Sequence, residues 1–169
     1  CSVSISSDGN IIAVGSTNNP ADGDWAYSGD TRIYHWDGTT WNQLGSSLGG
    51  DHAYKGKGCT VSLSDDGFTV AIGEPDTRVE LPDGTQGSGN GQTRIYRWDG
   101  GAWNQLGDTI QGEEGASGAA ISLSSDGEVV AIGDTHDWGD TSTRGHTRIY
   151  RWDGGAWNQL GRVLIGDAN

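Results

Sequence analysis

The sequence contains no methionine, one phenylalanine, three prolines and two cysteines among its 169 residues. The two cysteines have no CxxC spacing, so they predict no zinc site. No apolar run approaches the roughly 20 residues that a membrane-spanning helix needs, so membrane insertion is not expected. No signal peptide stands at the start. The missing start methionine suggests a processed or excised piece of a longer protein, with any targeting signal upstream.

Basic residues are also scarce. Ten lysines and arginines stand against 23 acidic residues, which gives a formal net charge of −13. A negative field of this size repels phosphate backbones and anionic lipids, so nucleic acid is excluded as a partner. The same field favours solubility and could attract cations, calcium included.

What the sequence has in excess is glycine (30 residues) and tryptophan (8 residues). Six of the tryptophans lie in one recurring unit, TRIYRWDGGAWNQLG, which occupies residues 93–107 and returns unchanged at 147–161. A looser copy lies at 31–45. The β-branched and aromatic residues alternate with period two, and Asp-Gly follows them. The unit therefore predicts two short strands joined by a tight turn.

A second hairpin precedes each copy of this unit. Its sequences are CSVSISSDGNIIAVG, TVSLSDDGFTVAIG and AISLSSDGEVVAIG, at 1–15, 60–73 and 120–133. Each repeat thus supplies four strands, A to D, and a period in the high fifties is typical of a β-propeller blade. We predict an all-β fold: one propeller domain forming an arc of three four-stranded antiparallel blades, with a β-sandwich or β-helix as the rival. The predicted blades are residues 1–58, 59–118 and 119–169.

Three blades do not close a ring, because propellers have about four to eight. We therefore expect the remaining blades of a parent protein, or other protein chains, to complete it, for example two copies making six blades. The lengths of the connections between strands B and C differ, at roughly 16–30, 74–92 and 134–146. In an up-and-down sheet these loops share one face with the D–A connections, so this variable face is where we expect a binding site.

A known repeat resembles this pattern. Gly58-Cys59-Thr60-Val61, then Val70-Ala71-Ile72-Gly73, then Gly91 leading to Tyr96 and Trp98 resemble the FG-GAP repeat of integrin alpha-subunit propellers. The WDGxxWNQLG ending is similar to tandem-repeat proteins predicted from marine microbes and algae. The resemblance implies an extracellular or cell-surface propeller with an adhesive role. Calcium-binding FG-GAP repeats carry DxDxDG between the first two strands, whereas this chain has only SDG or DDG there, which predicts turns.

The acidic B–C loops hold the residues that we predict to contact a ligand or partner. The six are Asp22, Asp24, Trp25, Asp137, Trp138 and Asp140. Several carboxylates could also hold a hard cation through oxygen. Asp22, Asp24 and Asp30 form one possible metal set, and Asp134, Asp137 and Asp140 form another. No spacing matches a known calcium loop, so solvated loop acids and a calcium site both stay open, and no other cofactor is expected.

The paired tryptophans have two interpretations. Either they stack on sugars, one carbohydrate site per blade, or they pack blade against blade. The pairs are Trp36 and Trp41, Trp98 and Trp103, and Trp152 and Trp157. The recurring Arg32, Arg94 and Arg148 are expected to pair with a carboxylate or to stack on an aromatic ring.

The remaining reactive residues point to no chemistry. Cys1 and Cys59 occupy matching places in two repeats, which fits a small buried slot or a disulfide. The histidines (His35, His52, His136 and His146) have no catalytic spacing. We therefore predict no catalytic residue and no enzyme, but a non-enzymatic extracellular propeller that serves as a structural or adhesive protein-interaction module. The alternative is a lectin-like propeller that binds glycans; a hydrolase assembled from the loops ranks third.

Overall fold

The computed structural model describes residues 2–16, 29–49, 60–75, 78–80, 86–88, 90–112, 116–135 and 145–166. Within these ranges every regular element is a β-strand. No helix in the described part of the chain is long and apolar enough to cross a membrane. The prediction of an all-β fold is confirmed.

The strands form three antiparallel sheets, one per repeat. Blade 1 contains β1 (Ser2–Ile5), β2 (Ile11–Ser16), β3 (Asp30–Trp36), β4 (Trp41–Gln43) and β5 (Leu48–Gly49). Blade 2 contains β6 (Thr60–Leu63), β7 (Thr69–Glu74), β10 (Gln92–Trp98), β11 (Trp103–Gln105) and β12 (Ile110–Gln111). Blade 3 contains β13 (Ala116–Leu123), β14 (Val129–Thr135), β15 (His146–Trp152), β16 (Trp157–Gln159) and β17 (Leu164–Ile165). The sheets do not close into a ring, so the predicted open arc of three four-stranded blades is confirmed.

Two details go beyond the sequence prediction. Strand D is divided in each blade, so that β4 and β5 both pair with β3, and the other blades repeat this arrangement. A separate hairpin, β8 (Arg78–Glu80) with β9 (Gln86–Ser88), lies in the B–C connection of blade 2. The first strand of blade 3 begins at Ala116, three residues before the expected boundary, and its register shifts between Ser117 and Ala120.

The A–B and C–D turns depend on one aspartate each. In the C–D turn of blade 2, Asp99 Oδ1 accepts hydrogen bonds from the backbone N–H groups of Gly101 and Ala102, both at 2.8 Å. Its Oδ2 accepts from Asn104 at 2.8 Å. These donors, the backbone ones first, hold the pKa of Asp99 below its usual value of 3.8 because they stabilise the charged form. The WDGxxWN motif is therefore a self-contained turn.

The hydrophobic core lies between blades rather than within one. At the junction of blades 1 and 2, one buried cluster combines Ile11, Ala13 and Ile33 of blade 1 with Val61 and Leu63 of blade 2. A second cluster joins blades 2 and 3 in the same way. Blade 2 buries one face against blade 1 and the other against blade 3, so each blade depends on its neighbours for its core.

The recurring tryptophans occupy these junctions. Trp103 is 9% exposed, and its indole Nε1 donates to the Leu44 carbonyl of the preceding blade at 2.8 Å. Trp157 makes the equivalent bond to Leu106, also at 2.8 Å. The interpretation that tryptophans pack blade against blade is confirmed at both internal junctions, because Trp103 is buried, Trp157 is partly buried, and each indole donates to the preceding blade.

Candidate functional site

A polar layer lies where strands B and C meet the variable face. In blade 3 this layer is Asp134 at the end of strand B and His146 at the start of strand C, which are register partners. His146 Nε2 lies 2.9 Å from Asp134 Oδ2. Arg148 reaches the same oxygen through Nη2 at 2.9 Å. Its side chain is 1% exposed and that of Asp134 is fully buried.

One further contact ties the cluster in blade 3 to strand A, and one carboxylate oxygen is left over. Arg148 Nη2 donates to Ser117 Oγ at 3.1 Å, which ties the guanidinium to strand A. The second oxygen of Asp134, Oδ1, is buried and accepts no hydrogen bond from the described residues. A buried carboxylate oxygen without a donor costs free energy, so the cluster is not fully satisfied by this part of the chain.

The other blades carry variants of the same cluster. Blade 2 has Glu74 beside Gln92, whose side-chain amide donates to the carboxylate, with Arg94 Nε 3.8 Å from Glu74 Oε1. In blade 1 the acid has moved to strand C, because Asp30 there accepts from Arg32 Nε at 2.9 Å. Every blade thus keeps one carboxylate beside the strand-C arginine, and the expected arginine–carboxylate pairing is confirmed.

The chemistry available to this layer is limited by its partners. An aspartate that orients an imidazole is the arrangement used for general-base catalysis. The Ser117 hydroxyl, a candidate nucleophile in the same cluster, accepts its hydrogen bond from Arg148. His146 is half-buried, with 18% of its side chain exposed, so solvent reaches it. The pair can position a water molecule or a polar ligand, but no catalytic triad forms among the described residues.

A groove opens on the opposite face, between blades 2 and 3. Its volume is about 550 Å³, and it is lined by Asp66, Phe68, Thr69, Arg97, Trp98, Gly100, Asp126 and Glu128. Arg97 Nη2 bridges the two blades by pairing with Glu128 Oε1 at 2.8 Å. Phe68 is 42% exposed and offers an aromatic surface beside carboxylates, a combination of apolar and polar groups that is typical of ligand pockets.

The two end faces of the arc are the third feature. The blade 1 end face consists of Val3, Ile5 and Trp41, which are 66%, 57% and 44% exposed. The blade 3 end face consists of Leu160 and Leu164, which are 44% and 57% exposed. At the internal junctions the corresponding residues pack against the neighbouring blade.

Most of the predicted ligand residues lie outside the described ranges. This holds for Asp22, Asp24, Trp25, Asp137, Trp138 and Asp140, and also for Cys1, Cys59, His52 and His136. Of the proposed metal ligands, Asp30 and Asp134 are described, and each pairs with an arginine of its own blade. No group of three or more metal-ligating side chains occurs in the described ranges. Calcium binding by the other predicted loop aspartates stays a prediction.

Sequence reasoning missed the Asp134–His146 pair and the groove. The pair had one available signal, since both residues occupy positions that are polar in every repeat. The groove had none, because it is formed by residues from two blades that no spacing connects. The end faces follow from the repeat pattern once the arc is known to be open.

Comparisons with known proteins inform the fold. No family model matches the chain, and no curated protein does. A crystal structure from Bacteroides uniformis, of a protein provisionally named a 6-phosphogluconolactonase, is similar with a TM-score of 0.57 and 17% sequence identity. The similarity covers 99% of this chain and 41% of that protein, so the chain spans about two fifths of its length. At this identity the likeness concerns the fold, and the resemblance to FG-GAP repeats stays a prediction.

The comparison corrects one expectation. We predicted that the chain is no enzyme, from its near-identical repeats and lack of catalytic spacing. That prediction is wrong in its reasoning, because a protein bearing an enzyme's name has a similar fold along 99% of this chain. A propeller scaffold carries chemistry on loops and strand ends, where side chains from distant parts of the sequence meet. The absence of a local motif therefore does not exclude catalysis.

Proposed function

We propose that this chain is a structural or adhesive protein-interaction module that acts through its two end faces. One observation carries the proposal. Val61, Leu63 and Trp103 in blade 2 are 6%, 7% and 9% exposed, whereas their blade 1 equivalents form the blade 1 end face and are 44% to 66% exposed. These side chains are built to be covered by another blade, and burying them stabilises a complex by about 25 cal/mol per Å² of apolar surface.

The extracellular or cell-surface location belongs to the same proposal. It is supported by the resemblance to integrin alpha-type repeats and by the acidic composition, and antibody labelling of unpermeabilised source cells tests it. Surface labelling is the expected result. Labelling only after permeabilisation would contradict the location without affecting the interaction proposal.

Photo-crosslinking tests the interaction itself. A photoreactive amino acid replaces Ile5 or Leu164 on the end faces, or Phe68 as an exposed apolar control away from them. The labelled chain is irradiated in an extract of the source cells, and mass spectrometry identifies the crosslinked protein. We expect a propeller protein, either this chain or another, from both end positions and none from position 68. No crosslink from the end positions, or equal crosslinking at all three, would contradict the proposal.

Carbohydrate binding is the second candidate function, and the groove between blades 2 and 3 favours it. Phe68 and Trp98 provide aromatic surface for the apolar face of a sugar ring, and Asp66 and Asp126 provide acceptors for hydroxyl groups. The net charge of −13 favours an uncharged sugar over a phosphorylated one. In the corresponding position of blade 1, Asn10 replaces Phe68, so we propose this groove in place of one site per blade.

A glycan array with matched variants tests the second candidate. Phe68→Ala removes the exposed ring, and Asn10→Ala is the equivalent change in blade 1. Binding that Phe68→Ala abolishes and Asn10→Ala retains supports the groove; binding to no glycan argues against it.

A separate assay measures the hydrolysis of sugar lactones, the class of compound in the name of the similar Bacteroides protein, by the wild-type chain and by His146→Gln. Turnover lost in His146→Gln would identify the variable face as catalytic.

A further inference from the structure

We infer that the partner of the two end faces is a second copy of this chain, docked head to tail so that two copies close a six-blade ring. This inference rests on the proposed function, because it names the occupant of the same surfaces. A heterologous contact of this kind generates a ring when the rotation closes. Six blades fall within the range of about four to eight that propellers adopt.

The internal junctions supply the template for the contact. At each junction, the following blade contributes strand A and the tryptophan that begins its WNQLG segment. The preceding blade contributes the leucine of its own WNQLG segment. Thus Trp103 donates to the Leu44 carbonyl and Trp157 to the Leu106 carbonyl. Continuing the series, Trp41 of one copy donates to the Leu160 carbonyl of the other. The WNQLG sequence is identical in all three repeats, so the chemistry of the missing junction is already present.

The exposed Gly161 on blade 3 supports this register. Gly45 and Gly107 each lie under a tryptophan ring of the following blade, so that an added methyl group would approach Trp98 or Trp152 to 2.7 or 2.6 Å. Gly161 has the same left-handed backbone, with φ +77°, but no atom of the described residues lies within 4 Å of that position. The equivalent ring is that of Trp36, on blade 1. A second copy brings Trp36 over Gly161.

The innermost strands supply a matching hydrogen bond. The backbone N–H of Leu63 donates to Ser4 Oγ of the preceding blade at 3.0 Å, and that of Leu123 donates to Ser62 Oγ at 3.0 Å. The next acceptor in the series is Ser122 on blade 3, which is exposed. Its donor is the N–H of Ile5 on the blade 1 strand of the second copy. The two end faces therefore complement each other in three ways. They present matching apolar rows, a glycine (Gly161) placed to lie under the Trp36 ring, and a hydrogen-bond acceptor (Ser122) for the Ile5 N–H.

Charge sets the conditions of the test. Each copy carries a net charge of −13, so two copies repel each other at low ionic strength. At about 0.15 M salt the Debye length is about 8 Å, which screens charges outside the contact. Size-exclusion chromatography with light scattering at this ionic strength measures the mass. We expect twice the chain mass of 17.7 kDa.

Two variants locate the contact. Val3→Asp/Ile5→Asp places charges on the blade 1 end face, and Leu160→Asp/Leu164→Asp does so on the blade 3 end face. We expect each variant alone to be monomeric, with unchanged far-ultraviolet circular dichroism because these side chains are exposed. Phe68→Asp, the same change at an exposed residue away from the end faces, stays dimeric. An equimolar mixture of the two end-face variants forms a one-to-one complex, because one intact face remains on each.

The outcomes separate this inference from the proposed function. A monomeric wild-type chain, or a ladder of higher oligomers, would overturn the two-copy ring. A dimer that survives in either end-face variant alone would show like faces in contact and would overturn the head-to-tail arrangement. If the wild-type chain is monomeric while photo-crosslinks from Ile5 and Leu164 reach another propeller protein, the interaction module stands and the second copy is excluded as its partner.

Discussion

The internal blade junctions and the open end faces carry nearly the same residues in different surroundings. Trp103 and Trp41 both begin the WNQLG segment, yet Trp103 is 9% exposed and Trp41 is 44% exposed. Ile110 and Leu164 also correspond, and they are 7% and 57% exposed. The difference shows that the repeat encodes half of an interface, and the adjacent blade decides whether that half becomes core or surface.

Truncating the two tryptophans gives the largest expected contrast. Trp103→Ala leaves a cavity in the junction of blades 1 and 2 and removes the donor to Leu44, so we expect a loss of about 4 kcal/mol in the free energy of unfolding. Trp41→Ala, in the monomeric Leu160→Asp/Leu164→Asp background, costs about 0.5 kcal/mol because its ring is exposed. Urea denaturation in that background measures both. Equal losses would mean that the junction adds nothing to the packing within each blade.

The arginine–carboxylate pairs provide a second contrast, between blades 3 and 1. Arg148→Met leaves the buried Asp134 without its guanidinium partner, and we expect a loss of about 3 kcal/mol. Arg32→Met removes an arginine whose side chain is 46% exposed, so we expect a change within experimental error. Thermal unfolding of both variants checks this. A mild effect of Arg148→Met would show that the buried Asp134 does not depend on this guanidinium.

Acid titration gives the smallest effect and examines the turns, which are alike in all blades. The pKa of Asp37, Asp99 and Asp153 lies below the usual 3.8, chiefly because backbone N–H groups donate to each carboxylate. As the pH falls, these carboxylates therefore bind protons at a higher pH in the unfolded chain than in the folded one. The turns stabilise the fold above pH 3.8 and lose this contribution as the pH falls below it. Urea unfolding between about pH 5 and about pH 2 should show this decline. Asp99→Asn should make the decline shallower, and an unchanged slope would rule out a role for this turn.

Local features could be predicted because short-range contacts create them. The C–D turn needs only Asp99, the N–H groups two and three residues later, and Asn104, so its presence follows from the WDGxxWN motif. The TRIYRW strand was expected to begin at Thr93 and begins at Gln92. The blade count likewise follows from the number of repeats.

Features that depend on register across a variable loop could not be predicted. Asp134 and His146 face each other because β14 and β15 pair across residues 136–144, and no sequence spacing reveals that pairing. The β8–β9 hairpin lies in the B–C connection of blade 2, whose sequence differs from those of the other two B–C connections. The groove unites side chains of blades 2 and 3, so its shape depends on the angle between two sheets.

The sequence by itself determined the repeating unit, its two hairpins and the number of blades, because hydrophobic alternation and Asp-Gly turns act over a few residues. The tertiary structure decided which copy of each apolar residue becomes core. Val61 and Val3 hold the same place in strand A, but of the two only Val61 packs against another blade within the described residues. Burial depends on contact between whole sheets, so identical segments form core at the internal junctions and exposed surface at the two ends of the arc.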